Sequence, residues 1–271
     1  MNTTTLLRKL AFASVGVATL TVGTLHVKPA EALTLGPDAY GYSATDEIPF
    51  SFTDISGTGT RILAGADDAS STANVGFNFN FYGANYNTVS LSSNGLMSFG
   101  GSNSQFFNQN LTTDAPSGNL PSIAVLWDDW QYFQSGADAV YHQTVGAVGS
   151  RRFITQWNVA GGFASSPSFV TFQSVLFEGS NNILLSFLDT ESGDFRNFGS
   201  NATVGIRDTN GQVNGRLLQW SHNSSGITNR SSVLFTTTPI PTPALLPGLI
   251  GMGVAALRKR KATAVEETNE A

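Results

Sequence analysis

Residues 75–81 alternate between apolar and polar or small side chains, in the order VGFNFNF. Successive side chains of a β-strand point to opposite faces of a sheet, so this alternation predicts a half-buried strand. The buried face would carry Val75, Phe77, Phe79 and Phe81. This stretch therefore predicts β structure that packs through one aromatic face.

Short strand patterns recur along the chain. Residues 89–91 and 96–99 flank a segment that ends in Asn94-Gly95, and Asn-Gly between two apolar runs is the strongest short signal for a β-hairpin. Further strand patterns cover residues 123–130, 140–144, 152–159, 169–177, 183–188, 203–206, 216–220 and 232–235. About ten short strands with turn residues between them predict an all-β fold, an antiparallel β-sandwich.

The chain contains no cysteine. This excludes disulfides, thiol nucleophiles and metal sites built from cysteine. The fold must therefore be stabilised by its core, for which 19 phenylalanines and four tryptophans are available.

The N-terminus has the pattern of a secretory signal peptide. Basic residues precede an apolar run over residues 10–25. Ala30 and Ala32 then form a small-x-small cleavage site. We expect residues 1–32 to be a helical signal peptide that is removed, with Leu33 as the first residue of the mature chain.

The C-terminus has the pattern of a sorting signal. An apolar run over residues 244–257 is shorter than the roughly 20 residues of a membrane helix. The motif before it is Pro241, Thr242, Pro243 and Ala244, and the basic cluster after it is Arg258, Lys259, Arg260 and Lys261. The positive-inside rule places this cluster on the cytoplasmic side and the preceding chain outside.

These C-terminal features resemble the PEP-CTERM bacterial sorting signals, in the PTPA form typical of cyanobacteria. The resemblance implies a short hydrophobic helix, transient membrane insertion and processing by an exosortase-like membrane protease. Residues 262–271 form a short acidic extension that the family pattern usually lacks. Without processing, the same segment would act as a permanent weak anchor.

Between the two terminal signals, residues 33–240 contain seven arginines, no lysine and 15 acidic residues. The formal charge of this region is −8. A surface that neutralises phosphates needs the opposite sign, so the composition argues against nucleic acid as a partner.

The order of motifs between residues 77 and 206 resembles the nidogen-like (NIDO) type of extracellular domain. The segments that carry the resemblance are Ser93-Asn94-Gly95 with 96–99, then 123–129, Val140-Tyr141, 152–157, 172–179, 183–187 and 202–206. The resemblance implies a jelly-roll or nidogen-like sandwich with a structural or adhesive role. Together with the two terminal signals, it predicts an exported protein at the cell surface or in the extracellular matrix, with exopolysaccharide or matrix proteins as partners.

We therefore expect five segments in the chain. They are a signal peptide (1–32), a nidogen-like β-sandwich (33–237), a linker with the sorting motif (238–243), a hydrophobic segment with the basic cluster (244–261) and an acidic tail (262–271).

The most site-like cluster is Asp128-Asp129, which lies between Trp127 and Trp130. Carboxylates can bind calcium, and neighbouring aromatic rings could stack on a sugar, which would give a calcium-assisted carbohydrate-binding module. In the alternative, structural interpretation, the carboxylates cap the end of a buried strand while Trp127 packs inward. We interpret Asp67-Asp68 as a solvated surface pair.

Sequence patterns of enzymes are weak in this chain. His142 and His222 remain after removal of the signal peptide, and His142 lies in a predicted strand. The sequence has no G-x-S-x-G, H-E-x-x-H or phosphate-binding glycine loop. A glycoside hydrolase using Asp128 would need a second carboxylate that the sequence does not identify. We expect a non-enzymatic protein without a cofactor, apart from the calcium considered above.

Overall fold

The computed structural model describes residues 33–130, 138–160 and 169–237, which form an antiparallel β-sandwich. The strands are β1 (Thr34–Leu35), β2 (Ser43–Thr45), β3 (Thr60–Ile62), β4 (Ser70–Phe81), β5 (Ala84–Ser92), β6 (Leu96–Ser98), β7 (Ser122–Trp127), β8 (Ala139–Val145), β9 (Arg152–Ala160), β10 (Phe169–Phe177), β11 (Ile183–Asp189), β12 (Thr203–Arg207), β13 (Leu217–His222) and β14 (Ser231–Thr236). Helical structure is limited here to α1 (Gly211–Asn214) and 3-10 turns at Ser117–Asn119 and Asn197–Gly199.

The strands form two sheets. One sheet has eight strands in the order β1-β2-β14-β11-β10-β9-β8-β3, and the other has six in the order β13-β12-β7-β6-β5-β4. Every pairing is antiparallel, which confirms the predicted fold class.

The signal peptide, with Ala30 and Ala32, and the sorting tail from residue 238 onward lie outside the described residues. Within the ranges that the structure describes, no helix has the length and apolar character needed to cross a membrane.

Strand β4 has the predicted aromatic face. Val75, Phe77, Phe79 and Phe81 are buried, while the intervening residues are exposed or partly exposed. The rings of Phe79 and Phe81 lie 5.9 and 4.9 Å from the ring of Phe99, which follows β6. Burying one such side chain contributes roughly 1.5–3 kcal/mol, so this face is a principal contributor to the core.

The predicted hairpins are present. Leu91 of β5 faces Met97 of β6 across the Asn94-Gly95 turn. Strands β10 and β11 pair over six positions, as expected for two apolar runs joined by a short polar turn. The connection between β12 and β13 contains the short helix α1. Strands β1, β2 and β3 are two or three residues long and were not predicted.

A strap over residues 46–59 crosses the outer face of the eight-stranded sheet, because β2 and β3 lie near opposite edges of that sheet. Ile55 of the strap is buried in an outer apolar cluster with Ile154 and Val175. Residues 48–52 alternate in sequence, yet they form no strand. The strap therefore gives this sheet a second buried face.

Two buried glutamines hold the strap. The Oε1 of Gln156 accepts from the backbone N of Ile55 at 2.8 Å. Gln173 accepts from the N of Thr53 at 3.3 Å and donates through Nε2 to the O of Thr53 at 2.7 Å. Gln156 and Gln173 are opposite each other on β9 and β10, so their amides form a short row that binds the strap backbone. The two side-chain amides thus form with the strap the kind of hydrogen bonds that the backbone of a neighbouring strand would form.

The outer face of the six-stranded sheet is covered by the long connection over residues 99–121. Leu111 of this connection packs with Leu96, Ala124 and Trp127 in a separate buried cluster. The backbone N of Leu111 donates to the Oε1 of Gln219 on β13 at 2.7 Å. Both sheets are thus buried on both faces over part of their area.

An ion pair closes the edge of the sandwich at β4. The Nη2 of Arg151 lies 2.6 Å from the Oε1 of Glu178, and its Nη1 donates to the O of Gly76 at 2.5 Å. The hydrogen bond from the Arg151 side chain is the main reason that the pKa of Glu178 falls to about 2. The guanidinium thereby satisfies a carbonyl of an edge strand, which discourages further strand pairing there.

We predict that Gln156→Ala lowers the free energy of unfolding by about 2 kcal/mol, because the buried N–H of Ile55 loses its acceptor. Gln143→Ala is the matched control, since Gln143 on β8 also binds the strap, but through the exposed hydroxyl of Thr58 at 2.9 Å. Its loss should be below about 0.5 kcal/mol. Urea unfolding measures both values, and equal losses would contradict the role assigned to the buried amide.

Candidate binding site at the Asn94 end of the sandwich

Asn94 is the residue around which one end of the sandwich is built. It is fully buried in the turn between β5 and β6. Its Nδ2 donates to the Oδ1 of Asp68 at 2.9 Å, and its Oδ1 accepts from the N of Trp130 at 3.1 Å. Its carbonyl oxygen accepts from the N of Asp128 at 3.2 Å. The segment before β4 and the segment after β7 are therefore bound to the same turn.

Gly95 makes this turn sterically feasible. Its φ is +76°, and a Cβ there would lie 2.6 Å from the carbonyl oxygen of Leu126 and 3.1 Å from the ring of Phe172. The carbonyl of Gly95 also accepts from the N of Val125 at 3.0 Å. A glycine is required both for the positive φ and for the close approach of β7.

Asp128 lies inside the protein, with 1% of its surface exposed. Its Oδ1 accepts from the N of Asp129 at 2.8 Å and from the Nδ2 of Asn201 at 3.0 Å. Burial raises the pKa of Asp128 to about 6, although the charge of Arg196 opposes the shift. This geometry is that of a carboxylate capping the end of β7, as in the structural interpretation.

Trp127 and Trp130 are both fully buried. The indole of Trp127 packs under the 99–121 connection, and its Nε1 donates to the O of Gln105 at 2.9 Å. The indole of Trp130 lies in the main core, and its Nε1 donates to the O of Leu126 at 2.7 Å. Neither ring presents a face to solvent on which a sugar could stack.

Asp129, unlike the buried Asp128, lies close to two other carboxylates, those of Asp67 and Asp68. Asp67, Asp68 and Asp129 each place one carboxylate oxygen within 4.8 Å of the others. Asp67 and Asp68 are exposed, and Asp129 is half-buried. Burial, followed by the charge of Asp68, raises the pKa of Asp129. Calcium takes carboxylate oxygens at about 2.3–2.6 Å, so this group is a candidate for holding one cation.

Arg196 lies beneath this group of carboxylates. Its guanidinium is buried, donates to the O of Asp129 and lies 3.6 Å from the Oδ2 of Asp194. The same group is 6.0 Å from the ring centre of Trp130 and 5.3 Å from that of Phe195. The Phe195 side chain is 68% exposed. The loop between β11 and β12 thus covers Trp130 and presents an aromatic ring to solvent.

The structure therefore divides the predicted cluster. Trp127, Asp128 and Trp130 are interior groups, and Asp129 alone of the four belongs to the acidic surface. Asp67 and Asp68 are solvent-exposed as predicted, but their proximity to Asp129 was not anticipated.

Three residues of this end were not predicted from the sequence. They are Asn94, whose side chain binds the two neighbouring segments, Arg196 and Asn201. The signal for Asn94 was available, since the Asn-Gly turn was identified as a hairpin. Arg196 and Asn201 lie in a polar loop without a distinctive pattern.

A family model described as NIDO related matches residues 40–244. The chain belongs to the NIDO-related family. A search of curated proteins and a search of solved structures each found no match. The nidogen-like resemblance noted in the sequence is thus confirmed, and the NIDO-related domain is consistent with an extracellular structural or adhesive protein.

We predict that Gly95→Ala is more destabilising than Gly100→Ala, although both glycines have φ of +76°. Each variant should lose about 1 kcal/mol from backbone strain. Gly95→Ala should lose roughly 2 kcal/mol more, because its Cβ meets the Leu126 carbonyl, whereas the nearest atom at Gly100 is 3.8 Å away. Urea unfolding of the two variants provides the comparison, and similar losses would refute the close approach.

Proposed function

We propose that this protein is exported and serves as a structural or adhesive component at the cell surface or in the extracellular matrix. Membership of the NIDO-related family is the observation that carries the proposal. The charge of residues 33–240 and the absence of cysteine are compatible with a bacterial extracellular domain. The proposed activity is binding rather than catalysis.

Recognition would take place at the Asn94 end of the sandwich. This end combines an exposed aromatic ring, Phe195, with the carboxylates of Asp67, Asp68 and Asp129. Aromatic rings bury large apolar areas at little cost in conformational entropy, and carboxylates accept hydrogen bonds from hydroxyl groups. Both suit a polymer of the exopolysaccharide sheath or a matrix protein.

The proposal includes sorting by the C-terminal signal. Pro241 to Ala244 would be read by an exosortase-like protease while the following apolar run holds the chain transiently in the membrane. The basic cluster at residues 258–261 would keep the extreme C-terminus on the cytoplasmic side.

The alternative function is a calcium-assisted carbohydrate-binding module. The observation that favours it is the convergence of Asp67, Asp68 and Asp129, which could be neutralised by a divalent cation. The site would then use Asp129 together with two residues from the loop before β4, and the sugar would contact groups other than the buried indoles of Trp127 and Trp130.

The intact mass of the protein from the surface and medium of its native host tests the sorting proposal. We expect a species that begins at Leu33 and ends near Pro241–Ala244. A Pro241→Ala, Pro243→Ala variant should retain residues 258–271, because the protease loses its motif. A wild-type protein that keeps residues 258–271 would overturn the sorting proposal and indicate a lasting anchor.

Co-sedimentation with exopolysaccharide from the same host tests the proposed binding end. Phe195→Ala should weaken binding about tenfold, as expected when an aromatic anchor is removed. Val148→Ala is the control, because Val148 is 84% exposed in the turn between β8 and β9, at the other end of its sheet. Equal binding by the two variants would exclude recognition through Phe195.

Co-sedimentation and thermal unfolding, each carried out with calcium and with a chelator, separate the adhesive function from the calcium-assisted module. The calcium-assisted module requires binding and Tm to rise with calcium, since a ligand of the folded state stabilises it by mass action. Asp68→Asn should abolish that rise, whereas Asp114→Asn, which removes an exposed carboxylate elsewhere, should preserve it. Exopolysaccharide binding that is equal with calcium and with the chelator supports the adhesive function alone.

A further inference from the structure

Leu33, the expected first residue of the mature chain, has an acidic partner. The backbone N of Leu33 lies 2.9 Å from the Oδ1 of Asp46. The N of Asp46 lies 3.4 Å from the O of Leu33, so the two residues extend the short β1–β2 ribbon by one pair. Both side chains are exposed. The Asp46 carboxylate therefore faces the backbone nitrogen of Leu33, which becomes the N-terminal amine when the signal peptide is removed.

Signal-peptide removal changes the charge of that nitrogen. A signal peptidase hydrolyses the bond between Ala32 and Leu33, and water supplies the hydroxyl of the Ala32 carboxyl group and a proton to the Leu33 nitrogen. The nitrogen changes from a neutral amide to an α-amine with a pKa of about 7.7–8.0, which is mostly protonated at neutral pH. An amide hydrogen bond thereby becomes a hydrogen bond between opposite charges, which is shorter and stronger.

The geometry points to Asp46 as the counter-ion of the mature N-terminus, forming an ion pair that exists only after cleavage at Ala32–Leu33. This inference rests on the proposed export. Cleavage one residue earlier or later would move the ammonium group along the chain and away from the position where Asp46 accepts. The pair would hold the open end of the β1–β2 ribbon, which is otherwise a two-residue strand at the sheet edge.

The composition makes this pair unusually easy to measure. Residues 33–240 contain no lysine, so the α-amine of Leu33 is the single primary amine of that region. Amine-reactive esters attack the neutral amine, and a carboxylate partner favours the charged form. The rate of N-terminal labelling therefore reports whether Asp46 is paired with the terminus.

The experiment labels the processed protein, recovered from its host, with an amine-reactive ester at pH 7. Peptide mass mapping then quantifies the label on Leu33. Asp46→Asn should raise the labelling rate about threefold, corresponding to a loss of roughly half a pKa unit. Asparagine keeps an acceptor oxygen, so the fold should persist. Glu47→Gln is the control, because it removes an exposed charge from the next residue and should change the rate much less.

The outcomes separate the inference from the function on which it rests. A recovered protein that starts at another residue, or keeps residues 1–32, overturns the proposed cleavage and the ion pair with it. A protein that starts at Leu33 but labels equally in wild type and Asp46→Asn overturns the ion pair alone. In concentrated guanidinium chloride the wild type and the variant should label at the same rate, and a persistent difference would assign the effect to sequence rather than to the fold.

Discussion

Trp157 and Phe172, which are stacked neighbours on the eight-stranded sheet, hold the two sheets together beneath the candidate binding site through their contacts with the six-stranded sheet. The rings are stacked with centres 5.2 Å apart, and the Nε1 of Trp157 donates to the O of Ser92 on the opposite sheet at 2.8 Å. Trp130 packs on the same phenylalanine at 6.2 Å. An indole on one sheet thus satisfies a carbonyl on the other, in a chain without disulfides. The turn that follows Ser92 is fixed in position by the same contacts.

This packing explains why rigid and exposed groups lie so close together at one end of the domain. The Asn94 side chain is fully buried and each of its two polar atoms has a hydrogen-bond partner, yet one of these partners, Asp68, is exposed. Arg196 likewise bonds a main-chain oxygen in the interior while its neighbour Phe195 faces solvent. Groups held on such a base lose little conformational freedom when a partner binds, and that favours recognition.

The sandwich was predictable because its strands carry their own signals, such as the alternation of β4 and the Asn-Gly turn. The strap was not predictable, because it is held by the side-chain amides of Gln156 and Gln173, while the alternation of residues 48–52 within it is typical of a strand that does not form. The acidic group escaped prediction because Asp68 and Asp129 are distant in sequence. Only the order of the strands shows that the start of β4 and the end of β7 lie beside the same turn. The tryptophans were ambiguous, since an aromatic residue beside a carboxylate fits burial as well as sugar stacking.

At Thr53 the strap is bound through its backbone, which leaves the side chain at this position free to vary. Gln173 contacts the main-chain N and O of Thr53, and the Thr53 side chain is exposed. Any residue with a backbone N–H satisfies that bond, so proline is the substitution that the position resists. A cysteine introduced there would be the single thiol in the chain. Position 53 is thus a natural attachment point for a spectroscopic probe, on the face of the eight-stranded sheet rather than at the Asn94 end.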